Sequence, residues 1–523
     1  MTRRLSEFFT REVAAKSELL ATQGTTDPLV TGLEYDSRNV KSGSLFFALP
    51  GLHTDGSLYI DDAIAKGASV IAHENENIKK NSNIVFLKVK NSRFTMSPVS
   101  AAFFNYPSKR MLVTGVTGTE GKSTTVYLIW QLLTLLGKKA GFFSTVQQCS
   151  GGEVLWNSEH QTTPEAPVVQ RLLREMADNG CEYAVVEASS HGLSKLTNRL
   201  GDVEFCSAVF TNVTHEHLEF HGTWEQYRDD KANLFRALDR YAPPEGFSFS
   251  GPFGVINADD KSSRFFAEAT RRKTFSFSAE GREADLVLTA IESCAQGNRY
   301  TVFIPAQNEY IEIRDKLPGA FNSRNVMAAL LTVSGLLKLP VCEIAPYVNR
   351  LKPVRGRMNA VDRGQPFEIL VDYAHTPSSF QTIFPPLRER LNKTGGNIIS
   401  LFGSPGERDT KKRAEQGKIA AAYSDIIILT DEDPRGENPM DILEEIAGGV
   451  TENNTGFIRG ENLFLIPDRP TAIRKALSLA QKGDLLLLLG KGHENSIIYA
   501  DHVMPFDEIT ETEKALSEMG YKN

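Results

Sequence analysis

The strongest constraint on the fold lies between Met111 and Thr124. Three apolar residues, Met111-Leu112-Val113, lead into Gly115-Val116-Thr117-Gly118-Thr119-Glu120-Gly121-Lys122-Ser123-Thr124. Beyond this turn Val126, Ile129, Leu133 and Leu136 recur at helical spacing. A buried strand, a glycine-rich turn and an amphipathic helix in that order open a parallel α/β sheet, in which ligands sit at the carboxyl ends of the strands. The turn itself has phosphate chemistry. Small residues let backbone N–H groups close around an anion, the helix start adds its positive end, Lys122 can reach outer phosphates, and Ser123 can reach Mg²⁺. The ordinary spacing would need glycine at position 116, which is Val116; Gly115 and Gly118 stand there instead. The competing reading, a turn that only packs a helix on a strand, is disfavoured by Gly121-Lys122-Ser123 in this setting.

At 523 residues the chain exceeds what one core usually supports, so two to four domains are expected. The first hundred residues mix β-rich runs, Ser69 to Ala72 and Ile84 to Val89, with a helical stretch from Asp61 to Lys66. Asn105-Tyr106-Pro107-Ser108 breaks that pattern. Strand-like runs at Tyr183 to Val186 and Val209 to Thr211 continue the sheet opened at Met111. After Leu351-Lys352-Pro353, the apolar runs Ile369 to Val371, Ile398 to Phe402, Ile426 to Leu429 and Leu485 to Leu489 alternate with helix-length stretches. They predict a second, Rossmann-like unit. The expected class is α/β with three domains: residues 1–108, a central phosphate-loop parallel-sheet domain at 109–353, and a Rossmann-like domain at 354–523.

Composition narrows the function. A hydrophobic share of 41% and a charged share of 24% are those of a globular protein. The net charge of −7 argues against a general nucleic-acid binder, which needs a basic surface. Five scattered cysteines, with no Cys-x-x-Cys pair, read as reduced thiols. The N-terminus lacks the apolar core of a signal peptide, and no apolar run is long enough to span a bilayer. A cytoplasmic protein without membrane insertion is expected.

Several residues carry chemistry in their own right. Glu187 closes the run Tyr183 to Val186 and points toward the phosphate loop if the two strands are neighbours. Mg²⁺ takes hard oxygen ligands, so one carboxylate and the Ser123 hydroxyl suffice. A cap or ordinary salt bridge is the competing role for Glu187. His215, His217 and His221 could hold a metal, zinc included, or be structural. By composition alone Lys231 is a solvated helix lysine, and Thr162-Thr163-Pro164 is a helix N-cap followed by proline.

The strings around these residues resemble the Mur ligases. Gly115 to Ser123 is similar to their ATP loop, shared with folylpolyglutamate synthases, with Glu120 where most members have Asn. Glu187-Ala-Ser189-Ser190-His191-Gly192-Leu193 resembles the motif of those members that act at the third peptide position. Thr211-Asn212-Val213-Thr214-His215-Glu216-His217 resembles their magnesium segment, with His217 as ligand. The run Tyr227 to Phe235 resembles the segment carrying a lysine carbamylated by CO₂, here Lys231 as N6-carboxylysine. The resemblance implies ATP contacts from Gly115, Gly118, Thr119, Gly121, Lys122, Ser123, Thr124, Asn257, Asn325, Arg357, Asp372 and His375. It implies contacts to a UDP-linked muramoyl peptide from Ser37, Arg38, His53, Thr162, Thr163, Ser189 and Arg199, the last displaced by what looks like a two-residue insertion. The N-terminal string Tyr35-Asp36-Ser37-Arg38 resembles the family's UDP module, which folylpolyglutamate synthases lack.

The implied reaction is ATP-dependent amide formation on UDP-N-acetylmuramoyl-L-alanyl-D-glutamate through an acyl phosphate, with Lys122, Glu187, His217 and Lys231 as catalytic groups and Mg²⁺ held by Ser123, Glu187, His217 and Lys231. Glu432-Asp433-Pro434-Arg435 and Gly490-Lys491-Gly492-His493-Glu494 resemble the loops of members that add meso-diaminopimelate. On this likeness Arg435 clamps a distal carboxylate, and Glu494 with the Gly490 carbonyl receives a distal ammonium, with Asp433 and Arg408 alongside. The competing role for Arg435 is a salt bridge to a surface acid. L-Lysine or L-ornithine as acceptor remains open, as do a folylpolyglutamate-type ligase, a mechanical P-loop ATPase and a nucleotide sensor. A monomer is expected, bound by the UDP-dipeptide, ATP and an amino acid.

Overall fold

The computed structural model describes residues 1–24, 26–50, 55–76, 83–157, 161–214, 218–243, 249–294, 297–452 and 456–522. It divides into two compact units. The first holds Met1–Leu288, Phe303–Glu309 and Arg324–Tyr347; the second holds Thr289–Val302, Tyr310–Ser323 and Val348–Asn523. The first unit thus joins the expected first domain to most of the expected central one, whose residues 289–302, 310–323 and 348–353 fall in the second unit.

Within the first unit, the N-terminal five-stranded sheet runs Leu19–Gln23, Val85–Val89, Val70–His73, Ser44–Phe47, Gly32–Glu34. The last four strands are mutually parallel. Ser44–Phe47 and Val70–His73 are buried at every position, the pattern of a strand covered on both faces.

The second sheet of this unit is centred on Leu112–Thr117, the strand that carries the glycine loop. Its neighbours are Tyr183–Glu187 and Ser207–Phe210, both parallel to it. The register pairs Glu187 with Val116, so the carboxylate emerges at the strand's carboxyl end beside the loop. Phe253–Asn257 and Lys273–Ser278 extend the sheet in parallel on one side, and Ala140–Phe143 on the other. The helix after the loop, Lys122–Leu135, packs inward through Val126, Leu128, Ile129, Leu132 and Leu133.

The second unit contains a sheet ordered Asn359–Ala360, Glu368–Asp372, Leu485–Leu489, Ile398–Phe402, Ile426–Leu429, Leu463–Leu465. Its five longer strands are parallel, as the continuous apolar runs predicted. Helices on both faces bury two separate clusters, one around Phe380 and Phe384, the other around Ile473 and Leu516. Among the described residues no single helix is long and apolar enough to cross a membrane.

Candidate active site

In the first unit, Gly118 is forced to be glycine by space, since a Cβ there would stand 1.9 Å from Thr211 Oγ1. Gly121 has φ +80, and its Cβ would meet Asn325 Oδ1 at 2.6 Å. The loop is pinned from the next strand. Thr119 N donates to Asn212 O (2.8 Å), Glu120 N donates to Asn212 Oδ1 (3.0 Å), and Thr211 Oγ1 donates to Glu120 O (2.6 Å). Asn257, at the end of its strand, fixes that segment through Nδ2 to Thr211 O (2.7 Å), and Thr125 Oγ1 donates to Asn325 Oδ1 (3.3 Å). Lys122 Nζ donates to Thr119 O (2.7 Å), and Thr124 is part-exposed in the helix's first turn. Gly115 has a different place. It lies inside the strand Leu112–Thr117, where a Cβ would stand 2.4 Å from Leu234 Cδ1, so its smallness admits the helix Trp224–Ala237.

Glu187 is almost wholly buried and converges on the loop. Its Oε2 accepts from Ser123 Oγ (2.9 Å) and Thr145 N (2.7 Å), and its Oε1 from Thr145 Oγ1 (3.0 Å). Lys231 is equally buried, not solvated; its Nζ donates to Gly118 O (2.6 Å) and lies 4.4 Å from the centre of the Tyr227 ring. Thus a hydroxyl, a carboxylate and an amine border the turn meant for phosphate.

His221 is structural. Its Nδ1 meets Asp230 Oδ2 (2.8 Å) and its Nε2 meets Ser190 Oγ (3.0 Å), which leaves neither ring nitrogen for a metal. His215 and His217, like His53, lie outside the described residues.

The substrate-loop threonines differ from expectation. Thr163 is fully buried: Oγ1 donates to Glu187 O (2.8 Å) and accepts from Ser189 N (2.9 Å). Its hydroxyl is therefore spent within the fold, and only Thr162 is part-exposed. Neither threonine caps the next helix, whose N-cap is Glu165. Ser189 caps the short helix Ser190–Leu193 through Gly192 N. Arg199 donates to Thr163 O (2.8 Å) and to Glu165 Oε1 (2.9 Å). In the 3-10 turn Ser37–Asn39, after the strand Gly32–Glu34, Ser37 is buried, while exposed Arg38 is paired with Asp36 (2.6 Å).

In the second unit, Asp372 ends its strand and accepts from Ala374 N and Met358 N, both at 2.7 Å. Burial pushes its carboxyl up, opposed by Arg357. The Arg357 guanidinium lies 4.8 Å from the centre of the Tyr373 ring, and His375 Nδ1 meets Tyr373 O (2.8 Å). Burial, reinforced by Arg357, His375 and Lys491, holds His493 well below the usual imidazole range.

The two loops expected to bind the amino acid meet at the carboxyl edge of this sheet. Lys491 Nζ contacts Asp433 Oδ1 (2.8 Å) and Glu494 Oε2 (2.6 Å), while Tyr373 OH donates to Glu494 Oε1 (3.2 Å). Both acids expected to receive the amino acid are thus already bonded, because an internal lysine lies between them. The acid with a spare atom is Glu432, which was not among the expected site residues. Its Oε2 is buried with no hydrogen-bond partner among the described residues. Burial pushes this carboxyl up to about 7, and a Cβ on Gly490 would stand 3.0 Å from Oε2. Arg435 is not in a salt bridge, and its buried Nε has no acceptor among the described residues. It adopts φ +54 while its N–H donates to Ile498 O (2.9 Å). Arg408 is exposed. Underneath, buried Arg469 joins both loops, donating to Asp431 O (2.9 Å) and Leu489 O (2.7 Å) while paired with Glu508 (2.8 Å).

Comparison with known proteins decides among the readings. Residues 116–333 match the Mur ligase middle domain, 356–492 the Mur ligase, glutamate ligase domain, and 29–104 the Mur ligase family, catalytic domain. The chain belongs to the Mur ligase family. It has the three-domain Mur architecture and is an ATP-dependent peptide ligase. It is 52% identical to the UDP-N-acetylmuramyl-tripeptide synthetase of Treponema denticola, over 94% of this chain and 95% of that one. It is 34% identical to the UDP-N-acetylmuramoyl-L-alanyl-D-glutamate--2,6-diaminopimelate ligase of Clostridium tetani, over 95% of this chain and 97% of that one. A solved structure of a ligase with the latter name superposes with a TM-score of 0.60 at 26% identity, covering 94% of this chain and 95% of that one. A folylpolyglutamate synthase of Mycobacterium tuberculosis shares the fold at 14% identity over 76% of the chain, with a TM-score of 0.58.

Proposed function

We propose that this Mur ligase joins meso-2,6-diaminopimelate to the D-glutamate side-chain carboxylate of UDP-N-acetylmuramoyl-L-alanyl-D-glutamate. A carboxylate oxygen attacks the γ-phosphorus of ATP and ADP leaves. The amino nitrogen then attacks the acyl carbon, the carbon–oxygen bond to phosphate breaks, and the amine gives up a proton. Most of the catalysis lies in positioning and charge stabilisation.

The observation that carries this reading is the convergence of Ser123 Oγ, Glu187 and Lys231 on the 118–121 turn. Ser123 and Glu187 offer hard oxygens 2.9 Å apart, a donor set that fits Mg²⁺. Bound there, Mg²⁺ would neutralise charge on the phosphates. Carbamylated Lys231 would add two oxygens, and its nitrogen would keep one N–H for the bond to Gly118 O. Lys122 and the loop amides would hold the phosphates; Arg357, Asp372 and His375 are further nucleotide candidates by family resemblance. For the acceptor, the unpaired Arg435 Nε suits a distal carboxylate, and the spare Glu432 oxygen suits an ammonium, in place of the bonded Glu494. The same reading takes the protein as a cytoplasmic monomer.

Phosphate release tests it: turnover should require ATP, Mg²⁺, the UDP-dipeptide and the amino acid together. ATP hydrolysis independent of the UDP-dipeptide would point to a mechanical ATPase instead.

A further inference from the structure

Glu165 is the N-cap residue of the helix Ala166–Asp178, yet its side chain makes no capping bond. Instead its Oε1 accepts from two arginines, Arg199 at 2.9 Å and Arg93 at 2.8 Å. Arg93 belongs to the N-terminal helix Ser92–Phe103. The Glu165 side chain is 4% exposed, that of Arg199 12% and that of Arg93 28%. Two guanidinium groups on one carboxylate leave a net positive charge in a largely dry site, which is costly unless an anion completes it. The cluster also has unused bonding capacity: Arg199 Nε and Glu165 Oε2 are buried without partners among the described residues.

The cluster is tied to the catalytic strand end. Arg199 holds Thr163 O, and Thr163 Oγ1 holds Glu187 O and Ser189 N. Gly192 permits that approach, since a Cβ there would stand 2.6 Å from Thr163 Cγ2. The N-terminal helix makes a further contact, with Asn198 Nδ2 donating to Phe94 O (3.2 Å).

We propose that Arg93 and Glu165 are positioning residues that set the Arg199 guanidinium, with its Nε free, to receive a carboxylate of the UDP-linked peptide, and that they link the N-terminal domain to the Glu187 strand end. This rests on the ligase reading above. A serine or apolar residue at 165 would leave two part-buried arginines without their shared carboxylate. A neutral residue at 93 would leave Arg199 to neutralise Glu165 alone and remove the charge excess that calls for the substrate anion.

The test is steady-state phosphate release by wild type, Arg93→Gln, Arg93→Lys and Glu165→Gln, titrating the UDP-dipeptide and ATP separately. Calorimetric binding of the UDP-dipeptide without ATP is measured on each protein. Losing one charge-assisted contact is worth about 10- to 100-fold. Arg93→Gln and Glu165→Gln should raise KM and Kd for the UDP-dipeptide by about that factor, leave KM for ATP within about twofold, and Arg93→Lys should recover most of the loss. Part-exposed Arg93 can be replaced without opening the core, so it serves if Glu165→Gln does not fold. Unchanged UDP-dipeptide affinity in folded Arg93→Gln, or equal losses for both substrates, would overturn the proposal. Wild type indifferent to the UDP-dipeptide would instead sink the substrate reading itself.

Discussion

Ser123 and Glu187 lie 64 positions apart, and the parallel register brings them to hydrogen-bond distance. Replacing Glu187 by Gln keeps the shape and removes the charge, so kcat should fall by about 100-fold or more and the Mg²⁺ requirement should rise. A Mg²⁺ titration of turnover measures both; an unaltered metal requirement would remove Glu187 from the metal site. Lys231 gives a second residue-scale expectation. With ¹³CO₂, the active enzyme should show a carbamate carbon resonance that disappears in Lys231→Ala, and a short carboxylate should restore part of the lost activity. An active wild type without that resonance would refute carbamylation. The sequence exposed both residues through their strings, but not their surroundings. Burial of Lys231 beside the loop depends on the helix Trp224–Ala237, far along the chain from the loop's own helix Lys122–Leu135, and composition alone suggested solvent. Thr163 was opaque for a related reason, because a threonine before proline looks the same whether its hydroxyl faces a ligand or a main-chain carbonyl at the end of the next strand, 24 positions on.

At the scale of elements, the parallel strands were the most legible part. Ile398–Phe402, Ile426–Leu429 and Leu485–Leu489 stand where their continuous apolar runs predicted. What no local pattern showed is how the loops after them are loaded. Lys491 separates Asp433 from Glu494, and Arg469, from a helix between the loops, ties both. Lys491 and Glu494 are only three positions apart, but the pairings of Arg469 and of Lys491 with Asp433 join residues 20 to 58 positions apart, beyond any helical or strand period. Glu432 is the consequence with a measurable sign. Its carboxyl is pushed up to about 7 by burial, against Lys412, Lys491 and Arg469 nearby and with Glu494 adding to the rise. The folded protein therefore holds this proton over a range, about pH 5 to 7, in which the unfolded chain has lost it. Stability should fall as pH rises through that window. Glu432→Gln should match wild type near pH 4 and exceed it by about 1–3 kcal/mol at pH 8, read from denaturant unfolding. A variant less stable than wild type at pH 8 would mean that the buried charge is compensated in the fold.

For the whole molecule, the order of an N-terminal β-rich module, a phosphate-loop sheet and a Rossmann-like sheet was legible from the chain's punctuation. The family matches fall on those same three stretches. Compactness was less so: residues 1–108 and most of the central stretch form one unit, joined by contacts such as Arg93 with Glu165 that no single-segment pattern contains. The central claim is that these parts make a ligase whose acceptor is chosen by Arg435. An acceptor lacking the distal carboxylate would leave that guanidinium unpaired, and sites of this kind discriminate by about 10⁴-fold. The decisive measurement is kcat/KM for meso-diaminopimelate, L-lysine and L-ornithine, with the UDP-dipeptide and ATP saturating, in wild type and Arg435→Ala. The account predicts a strong preference for diaminopimelate in wild type that collapses in Arg435→Ala. Preference for lysine or ornithine, or a preference that survives the loss of Arg435, would contradict it.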